Sequence, residues 1–185
     1  MSSPRPAAPS SLVTARLRGR RPVPSDLAYV CEIDADWEIQ RTVFRRLASS
    51  EESERRLARW LAMWEEQGTG FWLFSDADGN LVGHAGLFPS PQTAGATELG
   101  YILKPAFWKR GYATEIARAL VDLAFGDLGL DELVANTMPE NAASRRVLER
   151  VGFSFAGETL YKGELPNAAY RMKSTDRPRD RPTAT

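Results

Sequence analysis

The stretch Glu98–Ala117, ELGYILKPAFWKRGYATEIA, holds the end of a strand, a short crossover and the start of a long helix. Thr97–Leu103 (TELGYIL) is β-rich, and Pro105 helps end it because proline has no N–H to donate to a ladder. From Ala113 the apolar residues fall at Ala113, Ile116, Ala117, Leu120, Val121, Ala124 and Phe125, which traces one helical face. Between strand and helix, Trp108–Thr114 (WKRGYAT) has little side-chain bulk at Gly111 and Ala113. Backbone N–H groups of such a turn can point together at the positive end of a helix, the arrangement that holds a diphosphate without a metal. Lys104, Lys109 and Arg110 add positive charge. The chain has no GxxxxGK[ST] and no GxGxxG, so nucleoside-triphosphatase and dinucleotide readings lose their main support.

Downstream, Glu132–Thr137 (ELVANT) reads as a strand and Asn141–Val151 as a helix, with Val147, Leu148 and Val151 inward and Gly152 at its end. Asn141 is a good N-cap, and Ser144 lies in the first turn. Ser154–Ala156 and Ala168–Met172 read as short strands around a turn-rich segment, Gly157–Asn167. Upstream, Phe71–Ser75 and Leu81–Phe88 flank Asp76-Ala77-Asp78-Gly79-Asn80 and predict a hairpin. Phe88–Ala96 is a Pro/Gly/Ser/Thr loop. Three helical patterns precede the hairpin. The first follows a Ser25/Asp26 cap and carries Leu27, Val30 and a packed Cys31. The second carries Val43, Phe44 and Leu47. The third runs from about Ser50 through Leu57, Trp60, Leu61 and Trp64 to Gly68. Leu12–Arg21 alternates as one half-buried strand whose arginines face solvent. Residues 1–11 and 174–185 lack large apolar residues and are expected to be flexible tails around one domain, 12–173. The element order, β-α-α-α-β-β-β-α-β-α-β-β, predicts a mixed sheet with helices on both faces.

Composition narrows the function. At 185 residues the chain suits one domain, and 43% hydrophobic with 26% charged residues is ordinary for a globular protein. Lys+Arg and Asp+Glu both number 24, so no cationic excess favours nucleic acid or an anionic membrane. One cysteine, Cys31, and one histidine, His84, preclude an intrachain disulfide and a Cys/His zinc site. No metal is expected, and mid-strand His84 reads as structural. No apolar run approaches the length of a membrane helix, and the N-terminus lacks a signal-peptide core, so a cytoplasmic location is expected.

The pattern ELGY…W-x-x-GYATE…N-x-x-S-x-x-V-L-x-x-x-GF, spanning Glu98–Phe153, resembles the GNAT superfamily of acyl-CoA-dependent N-acyltransferases. It is most similar to the Rim-type branch, which acetylates ribosomal-protein N-termini. The resemblance extends over roughly Leu12–Lys173. It implies an α+β (mixed α/β) fold: a strongly twisted mixed sheet of about six to seven strands, helices on both faces, splayed at the two central strands. It implies acetyl-CoA as co-substrate and a primary amine as partner, with a homodimer left open. The diphosphate loop, usually [QR]-x-x-G-x-[GA], is here Trp108-Lys109-Arg110-Gly111-Tyr112-Ala113, departing at Trp108. The resemblance places Lys109, Arg110, Gly111, Tyr112, Ala113 and Thr114 at the diphosphate. It places Ile102, Leu103 and Asn141 along the pantetheine.

Acetyl transfer needs a neutral amine, a stabilised thioester oxygen and a proton for the departing thiolate. Glu98 is the expected base, directly or through water. Relatives often carry a tyrosine on the last motif helix as thiolate acid. Leu148 stands there instead, so Ser144 takes that role, with Tyr101 and Tyr112 as weaker options. An α-amino group is partly neutral near pH 7, so positioning alone can suffice. Trp37, Phe44, Trp72, Phe88 and Tyr161 are candidate walls for the acceptor, which is a protein N-terminus or a small-molecule amine. The competing reading is a non-catalytic acyl-CoA sensor on the same fold.

Overall fold

The computed structural model describes residues 6–161 and 164–176. Eight strands form one sheet: β1 (Ser11–Val13), β2 (Arg18–Arg20), β3 (Phe71–Ser75), β4 (Leu81–Pro89), β5 (Thr97–Leu103), β6 (Glu132–Thr137), β7 (Ser154–Tyr161) and β8 (Leu165–Lys173). They lie in the order β1-β2-β3-β4-β5-β6-β8-β7. Every neighbouring pair is antiparallel except β5 and β6. The helices are α1 (Leu27–Ala35), α2 (Trp37–Gln40), α3 (Ser50–Gln67), α4 (Tyr112–Phe125) and α5 (Ala142–Val151).

Period-two alternation assigns the two faces of β5 to different cores. Leu99 and Leu103 pack with Ile116, Ala117 and Leu120 of α4 and with Leu148 of α5. Ile102 packs on the other side, against Tyr29 and Val30 of α1 and Trp60 of α3. Glu98 and Gly100 share the face of Ile102. The α4 stripe read from the sequence is the one the structure buries: Ile116, Ala117, Leu120 and Ala124 have no exposed surface.

The helix ends follow local chemistry. Ser49 accepts from the Glu52 amide while Glu52 reaches back to the Ser49 N–H, a capping box that starts α3. Gly68, at φ 65°, ends it. The Asn141 side chain caps α5 through the Ser144 amide at 3.0 Å.

Four expectations are corrected. The sheet has eight strands rather than six or seven, because Leu12–Arg21 is a hairpin instead of one strand. The Thr14 amide bonds the Leu17 carbonyl at 2.9 Å, and the Leu17 amide bonds Thr14 Oγ1 at 3.1 Å, which reverses the chain. The helix expected around Val43–Leu47 does not form. Asp36 caps α2 instead, and the chain leaves it at Arg45, φ 55°, whose amide returns to the Gln40 carbonyl. The expected Asp26 cap is spent elsewhere: its carboxylate accepts from the two terminal nitrogens of the Arg20 guanidinium and from the Val23 amide. Finally, β7 and β8 run through most of Gly157–Asn167. β7 is an edge strand exposed on most of its length, so it carries no alternation to read.

Part of the expected N-terminal tail is packed. The Ala8 amide bonds the Gly68 carbonyl at 2.7 Å, Ala8 is buried, and the Trp72 indole donates to the Pro9 carbonyl. Residues 1–5 and 177–185 of the expected tails lie outside the described residues. Among the described residues no helix is long and apolar enough to cross a membrane.

Leu120 sits wholly inside the larger core. Leu120→Ala should lower unfolding free energy by about 2–5 kcal/mol, the range for a buried leucine leaving a cavity, as measured by urea denaturation.

Candidate active site

Two left-handed residues shape the turn before α4: Lys109 at φ 61° and Gly111 at φ 81°, with Arg110 between them. Such alternation curls successive amides inward into an anion-binding nest. No side chain caps α4, and its backbone ladder begins with the Glu115 amide on the Gly111 carbonyl. The amides of the first turn are therefore left for a ligand, and the helix dipole favours an anion there. A diphosphate fits this donor set. Lys109, Arg110 and Gly111 are exposed, Tyr112 and Ala113 half-buried, and Thr114 buried beneath them. Trp108, the departure from the expected motif, has a clear local role. Its indole N–H donates to the Leu103 carbonyl at 2.7 Å and ties the turn to the end of β5.

The central strands separate as expected. The β5–β6 parallel ladder holds one register pair, Glu98 opposite Val134, though the strands are seven and six residues long. Beyond that pair each strand keeps its outer antiparallel partner and leaves the inner edge, including Ile102 and Leu103, facing a wedge. The wedge opens at the carboxyl ends of the strands, toward the nest.

Glu98 stands at the apex of the wedge, 8% exposed. Ser90 Oγ donates to its Oε2 at 2.8 Å, and the Asn136 side chain on β6 also favours its charged form. Burial pushes the carboxyl above its ordinary range, and these two side chains only partly oppose that. Ser144 lies on the other side of β5. Its Oγ is 3.0 Å from the Tyr101 hydroxyl, which also lies 3.3 Å from the Ser144 carbonyl. Burial pushes the Tyr101 phenol up to about 12, against the pull of Ser144, so it stays protonated at neutral pH. Asn141 uses its amide oxygen to cap α5, which leaves its NH2 for a ligand carbonyl. Leu148 is 1% exposed within the core and has no polar role.

Glu98 and Ser144 therefore lie on opposite faces of one strand, flanking the wedge instead of meeting. The acceptor-wall candidates divide. Phe88 is cross-strand from Glu98 and stacks on Phe71 with centroids 4.8 Å apart. Phe44 is half-buried under the Arg56 guanidinium, and Trp37 is exposed. Trp72 is not a wall: it is fully buried against Trp64 on the α4 side of the sheet. The Tyr161 side chain lies outside the described residues. His84 is buried between Trp60 and Phe71, with Nδ1 2.9 Å from the Tyr29 hydroxyl. Burial, then the Arg56 charge, push it down to about 3, so it is a neutral core group at physiological pH.

Sequence reasoning did not single out Ser90 or Asn136. Asn136 had a findable signal, since it is the polar residue of an otherwise apolar strand centre, ELVANT.

Fold and site together define a mixed sheet opened at its centre, with an anion-binding nest at the mouth of the opening and a buried carboxylate at its apex. A family model described as acetyltransferase (GNAT) domain matches residues 16–154, and the chain belongs to that family. The FsC-acetyl coenzyme A-N(2)-transacetylase of Aspergillus fumigatus is 32% identical over 147 residues, 75% of this chain; the chain spans 62% of that relative's length. An acetyltransferase structure from Agrobacterium tumefaciens is 26% identical with TM-score 0.78, over 93% of this chain and 98% of that one. Mycobacterium smegmatis RimJ, solved in complex with CoA-disulfide, shares the fold at TM-score 0.76 and 18% identity, over 92% of this chain and 90% of its own.

A carboxyl held above its ordinary value of 4.5 costs stability in its charged form. The folded state binds the Glu98 proton more tightly than the unfolded state, so this stability is present below 4.5 and lost as pH rises through the folded value. Glu98→Gln should therefore be more stable than the native protein at pH 7. The difference should shrink toward zero below about pH 4.5 in denaturation curves taken across pH.

Proposed function

We propose that the protein is an N-acetyltransferase that moves an acetyl group from acetyl-CoA directly to a primary amine. The observation that carries this reading is Glu98: a buried, raised carboxyl at the apex of the wedge that the nest-bound donor must enter. Acetyl-CoA supplies the activated acyl group. The amides of Gly111–Thr114, with Lys109 and Arg110, would hold its diphosphate. The wedge edge at Ile102–Leu103 and the Asn141 NH2 would hold its pantetheine.

Glu98 takes the proton from the attacking nitrogen, directly or through one water, as the C–N bond forms and the C–S bond breaks. A raised pKa makes it the stronger base once it is ionised. Ser144 gives a proton to the departing sulfur, and the Tyr101 hydroxyl bonded to it orients or replenishes that proton. The two proton-transfer groups stand on opposite sides of β5, so base and acid do not neutralise each other.

The acceptor is a protein N-terminus or a small-molecule amine entering on the α1–α3 side, where Glu98 and Phe88 share a face. Support for the donor comes from the A. fumigatus relative, whose name specifies acetyl coenzyme A, and from the RimJ structure, which contains a CoA disulfide. The test is CoA release from acetyl-CoA over a panel of N-terminal peptides, amino acids and polyamines, with the acetylated product identified by mass spectrometry. Tight acetyl-CoA binding without CoA release on any amine would instead establish a non-catalytic sensor.

Glu98→Gln should lower kcat by about 10²–10⁴-fold, the usual worth of general-base catalysis, with little change in acetyl-CoA affinity. The loss should ease at high pH as more acceptor is neutral. Gly111→Glu places bulk and negative charge at a left-handed position facing the diphosphate, and should weaken acetyl-CoA binding at least about tenfold by calorimetry.

A further inference from the structure

Arg16 lies in the turn between β1 and β2, far in sequence from the nest, yet its side chain reaches the nest directly. Its Nη1 donates to the Arg110 carbonyl at 3.0 Å, and its guanidinium lies over the Tyr112 ring, 4.5 Å from the centroid. Its Nη2 faces Gly111: a Cβ built there would meet it at 3.4 Å. Nε donates to Glu115 Oε2 at 2.7 Å. Three consecutive residues of the diphosphate turn therefore sit against one guanidinium.

Glu115 explains why a cation is needed there. It lies in the first turn of α4, where an uncompensated carboxylate would repel an anion bound at the helix end. The β1–β2 turn neutralises it with three donors: Thr14 Oγ1 at 2.6 Å, the Arg16 amide at 2.8 Å and Arg16 Nε at 2.7 Å. Burial pushes the Glu115 carboxyl up, but these bonds and the Arg16 charge outweigh it and hold it below its ordinary range, so it stays ionised and paired. The Arg16 side chain is 49% exposed and that of Glu115 only 16%, so the charge presented to solvent at the mouth is the positive one. From Gly111 a groove of about 490 Å³ runs along α4, with Arg118 and Arg150 on its walls besides the acids Glu115 and Asp122.

We infer that Arg16 is a diphosphate-binding residue of the acyl-CoA site, supplied by the N-terminal hairpin and held in place by Glu115. The turn conformation and the charge at its mouth then depend on an element outside the strand–turn–helix motif. The inference rests on the acyl-CoA reading above and deepens it.

The test is calorimetric binding of CoA and of dephospho-CoA, which keeps the diphosphate and lacks the 3′-phosphate, to the native protein, Arg16→Gln and Arg16→Lys. Arg16→Gln should weaken both ligands about tenfold or more, the size expected for one charge-assisted hydrogen bond. Arg16→Lys keeps the charge and should recover part of the loss. The native affinity should fall more steeply with salt than that of Arg16→Gln. Equal affinity in all three proteins overturns the inference while leaving the acyl-CoA reading intact. Loss confined to CoA, with dephospho-CoA unaffected, also overturns it, because Arg16 would then serve the 3′-phosphate. Absence of CoA binding by the native protein overturns both readings.

Discussion

Glu98 and Val134 face each other across the one register pair that joins β5 to β6. Everything the site needs follows from the ladder stopping there. A parallel pair with evenly spaced bonds would normally seal the sheet. Here β4 and β8 hold the outer edges of the two strands through continuous antiparallel registers, so the strands separate without losing their places in the sheet. Buried backbone edges left unpaired are costly, and that cost is a standing preference for a ligand able to hydrogen-bond like a strand. The pantetheine of an acyl-CoA, with its two amide groups, is such a ligand.

The wedge also divides the chemistry. Because side chains alternate, even-numbered residues of β5 face α1 and α3, and odd-numbered ones face α4 and α5. A carboxylate at 98 and a tyrosine at 101 therefore fall on opposite sides of any group lying between the strands. Burial raises both the Glu98 carboxyl and the Tyr101 phenol, with opposite chemical consequences. One group becomes a stronger base when ionised; the other stays a proton donor at neutral pH. Ser144, bonded to Tyr101 and amide-capped by Asn141, is fixed on the donor side.

What the sequence disclosed was what local periodicity and turn chemistry control. The bounds of β5 and β6, the buried stripe of α4 and the Gly68 and Gly152 caps of α3 and α5 all stand where pattern put them. The missed features are those in which tertiary contacts override pattern. Thr14 hydrogen-bonds across a turn that alternation concealed, Asp26 prefers Arg20 to its helix, and β7 lies exposed at the sheet edge. In the site, the strand–turn–helix signal pointed to the turn before α4 and to Glu98 as candidates. It said nothing of Ser90, Asn136 or Arg16, because their roles exist only once distant segments meet. Trp72 shows the converse error: an aromatic in the right strand, of the wrong parity.

The substitution of Trp108 for the expected Gln or Arg clarifies which part of the motif is chemical and which is mechanical. Its indole N–H bonds the Leu103 carbonyl, and its ring packs against both cores. No phosphate contact is needed from this position, since the converging amides and the helix end supply the anion site. What the position does is fix the distance between β5 and the turn before α4. A rigid indole, with few rotatable bonds and one donor, does that at less entropic cost than a flexible guanidinium or carboxamide. Arg16 braces the turn from the opposite side through the Arg110 carbonyl, so the nest is held between two tethers, one to β5 and one to the N-terminal hairpin.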